Sequence, residues 1–163
     1  MKVAITGGTA GIGLALAKLF EANGHEVVVL SRRNGYNIRS LPKVAGMIEP
    51  CDMFINNAQV GFAQTELLFE VWRRWQGKNK CIVNVSTQMT AMTVPPKREW
   101  DEYLIQKKAL ETAHAMLLKI NSWPKQLLVK PPAVATQPGQ EPPEYLDVNE
   151  YAQETYKWIQ KNI

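Results

Sequence analysis

Tyr103 and Lys107 stand four residues apart in Tyr103-Leu104-Ile105-Gln106-Lys107, the spacing that puts two side chains on one face of a helix. A phenol ionises near pH ~10 and is a poor acid–base group at neutral pH. An ammonium beside it stabilises the phenolate and draws the pKa toward the working range. Such a pair carries weight only through its neighbours. Just upstream, the apolar run Ile82-Val83-Asn84-Val85 ends in two hydroxyls, Ser86 and Thr87. Earlier still, Asn56-Asn57-Ala58 closes another apolar run.

A second chemical feature opens the chain. Residues 4–13 read AITGGTAGIG, a glycine turn between a β-rich run and a helical pattern. Gly7 can take a positive φ there, while Gly11 and Gly13 let a helix start approach a pyrophosphate, with free amides and the helix dipole favouring an anion. The spacing is TGxxxGxG. It is not GxGxxG, because Leu16 stands at the last position, and it lacks the lysine of a P-loop, because Leu14 follows Gly13. By itself it reads either as a phosphate cradle or as a structural turn. About 20 residues on, an NAD site places a carboxylate for the ribose 2′-hydroxyl. This chain has Ser31-Arg32-Arg33 instead, a hydroxyl and two guanidiniums suited to a 2′-phosphate, and so to NADP(H).

The elements that must position these groups alternate along the chain. Strands are predicted over 2–6, 26–31, 51–57, 80–86 and 126–130, with a further short one at Tyr36-Asn37-Ile38. Helices are predicted over 11–22, 40–48, 65–76, 101–121 and 148–161. Asp101 is the expected N-cap of the longest helix, with Trp100 and Ile105 stapled across it. A proline-rich loop runs from 131 to about 146. Alternation of this kind specifies an α/β fold: a doubly wound parallel sheet of about six strands, three layers deep, as one domain over 1–163. Ligands of such sheets bind beyond the carboxyl ends of the strands, where all the groups above fall.

Bulk composition excludes other classes. The 163 residues are 45% hydrophobic and 21% charged, ordinary for a soluble globular chain. No apolar run could span a bilayer and the start MKVAITGG is no secretory signal, so the expected location is the cytoplasm, with no membrane partner. The net charge of +4 is scattered, so nucleic-acid binding is not expected. The Trp72-Arg73-Arg74-Trp75 stretch reads as core tryptophans flanked by exposed arginines. Cys51 and Cys81 lack ligand spacing and read as buried reduced thiols, with no metal site.

The ordered set TGxxxGxG, NNA, IVNVS(T) and YxxxK resembles the short-chain dehydrogenase/reductase family over nearly the whole chain. The resemblance implies a Rossmann-type fold and oxidoreductase chemistry on a carbonyl or alcohol substrate. It implies that Gly7, Thr9, Ala10, Gly11, Ile12 and Gly13 surround the pyrophosphate and adenosine ribose, and that Ser31, Arg32 and Arg33 meet a 2′-phosphate. Asn37 and Ile38 fall beside adenine, and Asn57, Ala58 and Gln59 match the family's NNAG with glutamine in place of glycine. Tyr103 is the implied proton donor or acceptor, and Lys107 holds the nicotinamide ribose and lowers the tyrosine's pKa. Pro131, Val134 and Thr136 resemble the segment beside the carboxamide, with Pro132 where glycine is usual. Relatives assemble as homodimers or homotetramers through the helices matching 65–76 and 101–121.

Several departures stand out. The substrate-polarising slot holds Thr87, with Ser86 as the other candidate, and the gap to Tyr103 is lengthened by Pro95-Pro96-Lys97-Arg98. Only 22 residues separate Ala58 from Cys81, and no asparagine occurs between Asn57 and Asn79 to serve as the family's relay residue. The helix between strands two and three is also missing, and the loop after Thr136 is brief, which predicts an open site. Trp100 either walls that site or serves the staple. The sequence therefore supports an NADPH-dependent reductase. Its alternatives are a non-catalytic NADP(H) sensor and, more distantly, a sugar-nucleotide-modifying enzyme lacking its substrate domain.

Overall fold

Five apolar runs form one parallel sheet in a computed structural model that describes residues 1–94, 97–141 and 143–163. The strands are β1 (Lys2–Thr6), β2 (Glu26–Leu30), β3 (Met53–Asn56), β4 (Cys81–Val85) and β5 (Lys125–Val129), in the order β2-β1-β3-β4-β5. Register follows directly: Val3 lies between Val27 and Met53, and Ile82 lies between Phe54 and Gln126. Every residue of β3 and β4 is buried, which is why these runs read as continuously apolar rather than alternating.

Helices cover both faces. α1 (Gly11–Ala22) and α5 (Val148–Asn162) close one side over Val3, Ile5, Met53, Val83 and Leu127. On the other, α2 (Leu41–Ile48), α3 (Ala63–Trp75) and α4 (Asp101–Ile120) cover Ala4, Phe54 and Ile82. The apolar stripe of α3 buries Trp72 and Trp75, leaving Arg73 exposed and Arg74 bonded to Glu70 and Glu49. Asp147 caps α5, its carboxylate accepting from the amides of Asn149 and Glu150. Chain order reverses at β1, which sits between β2 and β3, and the crevice beyond its carboxyl end is where such sheets take ligands.

The structure corrects three expectations. Among the described residues there are five strands, not six, because Tyr36-Asn37-Ile38 forms none. After β2 a single 3₁₀ turn, Arg32–Asn34, is closed by Gly35 at φ 87°, and the amide of Tyr36 turns back to the Ser31 carbonyl. Only that turn lies between β2 and Tyr36, and the helix expected over 40–48 forms as the eight-residue α2. The N-cap of α4 is Trp100, delivered by a 3₁₀ turn over Arg98–Trp100, so Asp101 is already helical. That shift makes buried Leu104 the residue four along, and Trp100 and Ile105 both stay exposed rather than stapled. The expected boundaries elsewhere hold to within two residues. Pro95 and Pro96 lie outside the described residues.

Cys51 and Cys81 are buried free thiols. Among the described residues, no helix is long and apolar enough to cross a membrane.

Candidate functional site

A cleft of about 580 Å³ lies over the carboxyl ends of β1 and β2. The lining includes Gly7, Thr9 and Ala10 from the glycine turn and Ser31, Arg32 and Arg33 from the turn after β2. Asn37 and Ile38, Asn57, Ala58 and Gln59, and Thr136 complete the predicted part of it. Leu30, Tyr36, Val60 and Gln137 also line the cleft and were not anticipated. No carboxylate is among the lining residues, whereas both exposed arginines are, so the cleft is electropositive. The Ser31 hydroxyl donates to Asn34 Oδ1 at 3.1 Å and so serves the turn itself.

Gly11, Ile12 and Gly13 act beneath this lining rather than within it. A Cβ on Gly13 would lie 2.5 Å from the Gly7 carbonyl oxygen and 2.6 Å from Asn57 Nδ2, so only glycine lets α1 start this close to β1 and β3. Gly7, at φ 71°, makes the left-handed step out of β1. No side chain caps α1, and its first turn carries no acid, leaving its amides free for an anion. Thr136 packs over Gly11, while Val134 is occupied in a parallel bridge with Leu146. The carbonyl of Pro131 accepts from the Gln88 amide, tying the end of β5 to the segment after β4.

Thr6, fully buried at the end of β1, is a site residue that sequence reasoning missed. Its Oγ1 accepts from the amides of Asn57 (3.0 Å) and Ala58 (3.1 Å), and its carbonyl accepts from Asn57 Nδ2 at 3.0 Å. The NNA segment is thereby locked against the glycine turn.

The second half of the site lies along β4 and α4. Ser86 and Thr87, both buried, diverge. Ser86 donates to Glu111 Oε1 at 2.5 Å, and that carboxylate also accepts from Thr90 (2.7 Å) and Lys130 (2.9 Å). Burial opposes the charge of Glu111, but these three donors outweigh it and hold its pKa below the usual carboxylate range. Thr87 instead accepts from the Met89 amide at 3.3 Å, and its hydroxyl acts on the Tyr103 phenol to favour the phenolate. Lys107, only 3% exposed, donates to the Val85 carbonyl at 2.8 Å and to Gln64 Oε1 at 3.0 Å, with its ammonium 5.6 Å from the Tyr103 ring centre. Gln59 reaches from the cleft to Gln106 on α4, linking the two halves.

No protein-family model matches the chain, and no curated protein matches it in sequence. Solved structures do match its fold. A short chain dehydrogenase from Burkholderia cenocepacia in complex with NADP is 16% identical, with a TM-score of 0.76 over 98% of this chain and 84% of that one. An alcohol dehydrogenase from the archaeon Thermococcus sibiricus, complexed with 5-hydroxy-NADP, is 18% identical at 0.74, over 98% and 91%. A short-chain dehydrogenase from Sphingobium yanoikuyae in complex with NADPH is 18% identical at 0.72, over 98% and 84%. The fold is that of the short-chain dehydrogenases/reductases.

Within this short-chain dehydrogenase/reductase fold the electrostatics of the phenol differ from the sequence expectation. Burial raises the Tyr103 pKa above its ordinary value, and the Thr87 hydroxyl offsets this only in part. The hydrogen bonds of the Lys107 ammonium go to Val85 and Gln64 rather than to the phenol. Burial brings Lys107 itself down to about 8, with Glu111 acting weakly the other way.

Proposed function

We propose that the chain is a member of the short-chain dehydrogenase/reductase family and an NADP(H)-dependent oxidoreductase, reducing a carbonyl or oxidising an alcohol on a small molecule. One observation carries this reading: Tyr103, Thr87 and Lys107 converge at the same sheet edge as an acid-free, arginine-lined cleft. The residues present fit the cofactor. The glycine cradle and the free amides of α1 suit its pyrophosphate, Arg32 and Arg33 its 2′-phosphate, and Ile38 and Asn37 its adenine. When bound, NADPH supplies the hydride. Thr87 donates a hydrogen bond to the substrate oxygen and Tyr103 delivers the proton to it, while Lys107, still mostly protonated at neutral pH, sustains the local positive charge. Ser86 is held away from this point by Glu111, which favours Thr87 as the polarising hydroxyl.

Removing both guanidiniums tests the cofactor assignment. Arg32→Ala/Arg33→Ala is expected to weaken NADPH binding by roughly 10–100-fold, the loss of one or two charge-assisted contacts, and to leave NADH binding unchanged. Fluorescence titration of both nucleotides measures this. Equal affinity of the unaltered protein for NADH and NADPH would remove the arginine argument.

A second reading, a non-catalytic NADP(H)-binding sensor, draws on the raised pKa of Tyr103 and on a Lys107 committed to protein acceptors. It requires nucleotide binding without turnover on any carbonyl. In either case the free buried thiols suit a reducing cytoplasm.

We also assign the protein to a homodimer or homotetramer built on α4. Its outer stripe exposes Ile105, Met116 and Ile120 at 59%, 60% and 65%, an apolar line that water alone leaves costly. Light scattering is expected to give an oligomeric mass, and Met116→Lys a monomer with its fold intact.

A further inference from the structure

Lys107 is a buried cation whose protein partners are unequal. The Val85 carbonyl is backbone and cannot be exchanged by mutation, and it also accepts from Gln64 Nε2 at 3.0 Å. Gln64 Oε1 is therefore the one side-chain acceptor on the ammonium among the described residues. Gln64 is itself only 2% exposed and is held at both ends. Its Nε2 donates to the Asn56 carbonyl at 2.7 Å, while Asn56 Nδ2 donates to the Gln64 carbonyl at 3.0 Å. Asn56 Nδ2 in turn bonds Asn84 Oδ1 at 3.0 Å, and Asn84 Nδ2 lies 3.3 Å from His114 Nδ1. A chain of buried amides thus runs from the ammonium across the ends of β3 and β4 to α4.

From this geometry we infer that Gln64 is the positioning residue for Lys107, doing from the first turn of α3 what the shortened segment between Ala58 and Cys81 has no asparagine to do. The inference rests on the reductase reading only for its catalytic meaning. The contact itself belongs to the free protein.

A neutral acceptor suits the task. A carboxylate at 64 would form an ion pair and turn the buried Asn56 and Val85 carbonyls, which Nε2 now satisfies, against a negative charge. An apolar side chain would leave the ammonium with one carbonyl. The charged groups acting on Lys107 are few: Glu111, one turn further along α4, is already engaged by Ser86, Thr90 and Lys130, and Tyr103 stays neutral.

The test reads Lys107 directly, by NMR titration of its ¹³Cε resonance in the unliganded protein, assigned through Lys107→Met. Gln64→Met is expected to move the midpoint down by about one unit, because a hydrogen bond to the charged form is lost, and Gln64→Glu to move it up by at least as much. An unmoved midpoint in Gln64→Met, with a lowered melting temperature, would make Gln64 a purely structural tie and overturn the inference. If neither variant folds, the unaltered protein decides the matter. Slowly exchanging Lys107 ammonium protons with NOEs to the Gln64 amide support the assignment, and exchange at the rate of a free lysine refutes it. Failure of the reductase reading is seen separately, as shifts of the Lys107 midpoint in a protein that turns over no carbonyl. Where turnover is present, Gln64→Met is expected to displace the alkaline limb of the kcat profile in parallel with the NMR midpoint.

Discussion

Tyr103→Phe is expected to lower NADPH-dependent carbonyl reduction by roughly 10²–10⁴-fold, the range for removing a positioned proton donor. The substitution deletes one oxygen from a side chain that is otherwise packed, so the fold and the nucleotide affinity should persist. Its size follows from the geometry of the site. Thr87, which acts on the phenol, cannot replace it as an acid, because an alcohol is a far weaker one. Ser86 is bound to Glu111 and faces elsewhere. Lys107 is the remaining proton carrier nearby, and its ammonium is fixed on Gln64 and Val85. Oxidation of NADPH by a panel of aldehydes and ketones measures the loss. Turnover that survives in Tyr103→Phe would sink the proposed mechanism, whereas absence of turnover in the unaltered protein, with NADPH still bound, would establish the sensor reading.

Lys107→Met combines two effects of opposite sign. Activity should fall by at least 10²-fold, since the cation over the phenol ring is gone. Stability at pH 7 should nonetheless rise. A lysine whose pKa is lowered to about 8 on folding, from 10.5, is bound more weakly by its proton in the native state than in the unfolded one. Below both values the charged form is carried into the core at a cost of about 3 kcal/mol. Methionine removes that cost but leaves Gln64 Oε1 without a partner, which returns about 1–2 kcal/mol. The expected net is a stabilisation of roughly 1–2 kcal/mol at neutral pH. The sign with pH is fixed by proton counting. Between pH 8 and 10.5 the unfolded chain holds more protons than the native one, so the unaltered protein gains stability as pH rises through that window. The advantage of Lys107→Met should therefore shrink from pH 8 upward and disappear by about pH 10. Urea unfolding of the two proteins across this range decides it, and a constant difference would show that Lys107 is not the titrating group.

What could be read from the chain before folding was whatever local spacing encodes. Glycines 7, 11 and 13 declare a strand-to-helix turn because only they tolerate the backbone there, and the continuous apolar runs of β3 and β4 declare strands covered on both faces. Ser31-Arg32-Arg33 could be placed because it follows a strand end at a fixed distance from that turn. Gln64 could not, since its meaning depends on Lys107, 43 residues away, and nothing in FAQTE marks a buried amide. Thr6 was equally silent: its hydroxyl serves amides 51 and 52 residues later. Glu111 carries no local mark either: its role shows only where the fold brings Ser86, Thr90 and Lys130 around it. The Trp100–Ile105 staple failed for a local reason, a cap displaced by one residue. Helical spacing fixes which face Tyr103 and Lys107 share but not which acceptors the ammonium takes, here Val85 and Gln64.

The cleft over β1 has walls of different parentage. Ala10 and Thr9 belong to the start of α1, whose body packs in the layer with α5, whereas Tyr36, Ile38, Ala58 and Val60 pack with the layer of α2, α3 and α4. Anything seated there touches both layers and acts as a removable rivet between them. At a hundred times its dissociation constant a ligand adds about 2.7 kcal/mol to the free energy of unfolding. Against the 5–15 kcal/mol typical of a domain, that is a large share. Were that ligand the proposed nucleotide, the lifetime of this protein against proteolysis would be set partly by how much of it the surroundings hold, and its abundance would become a record of that supply.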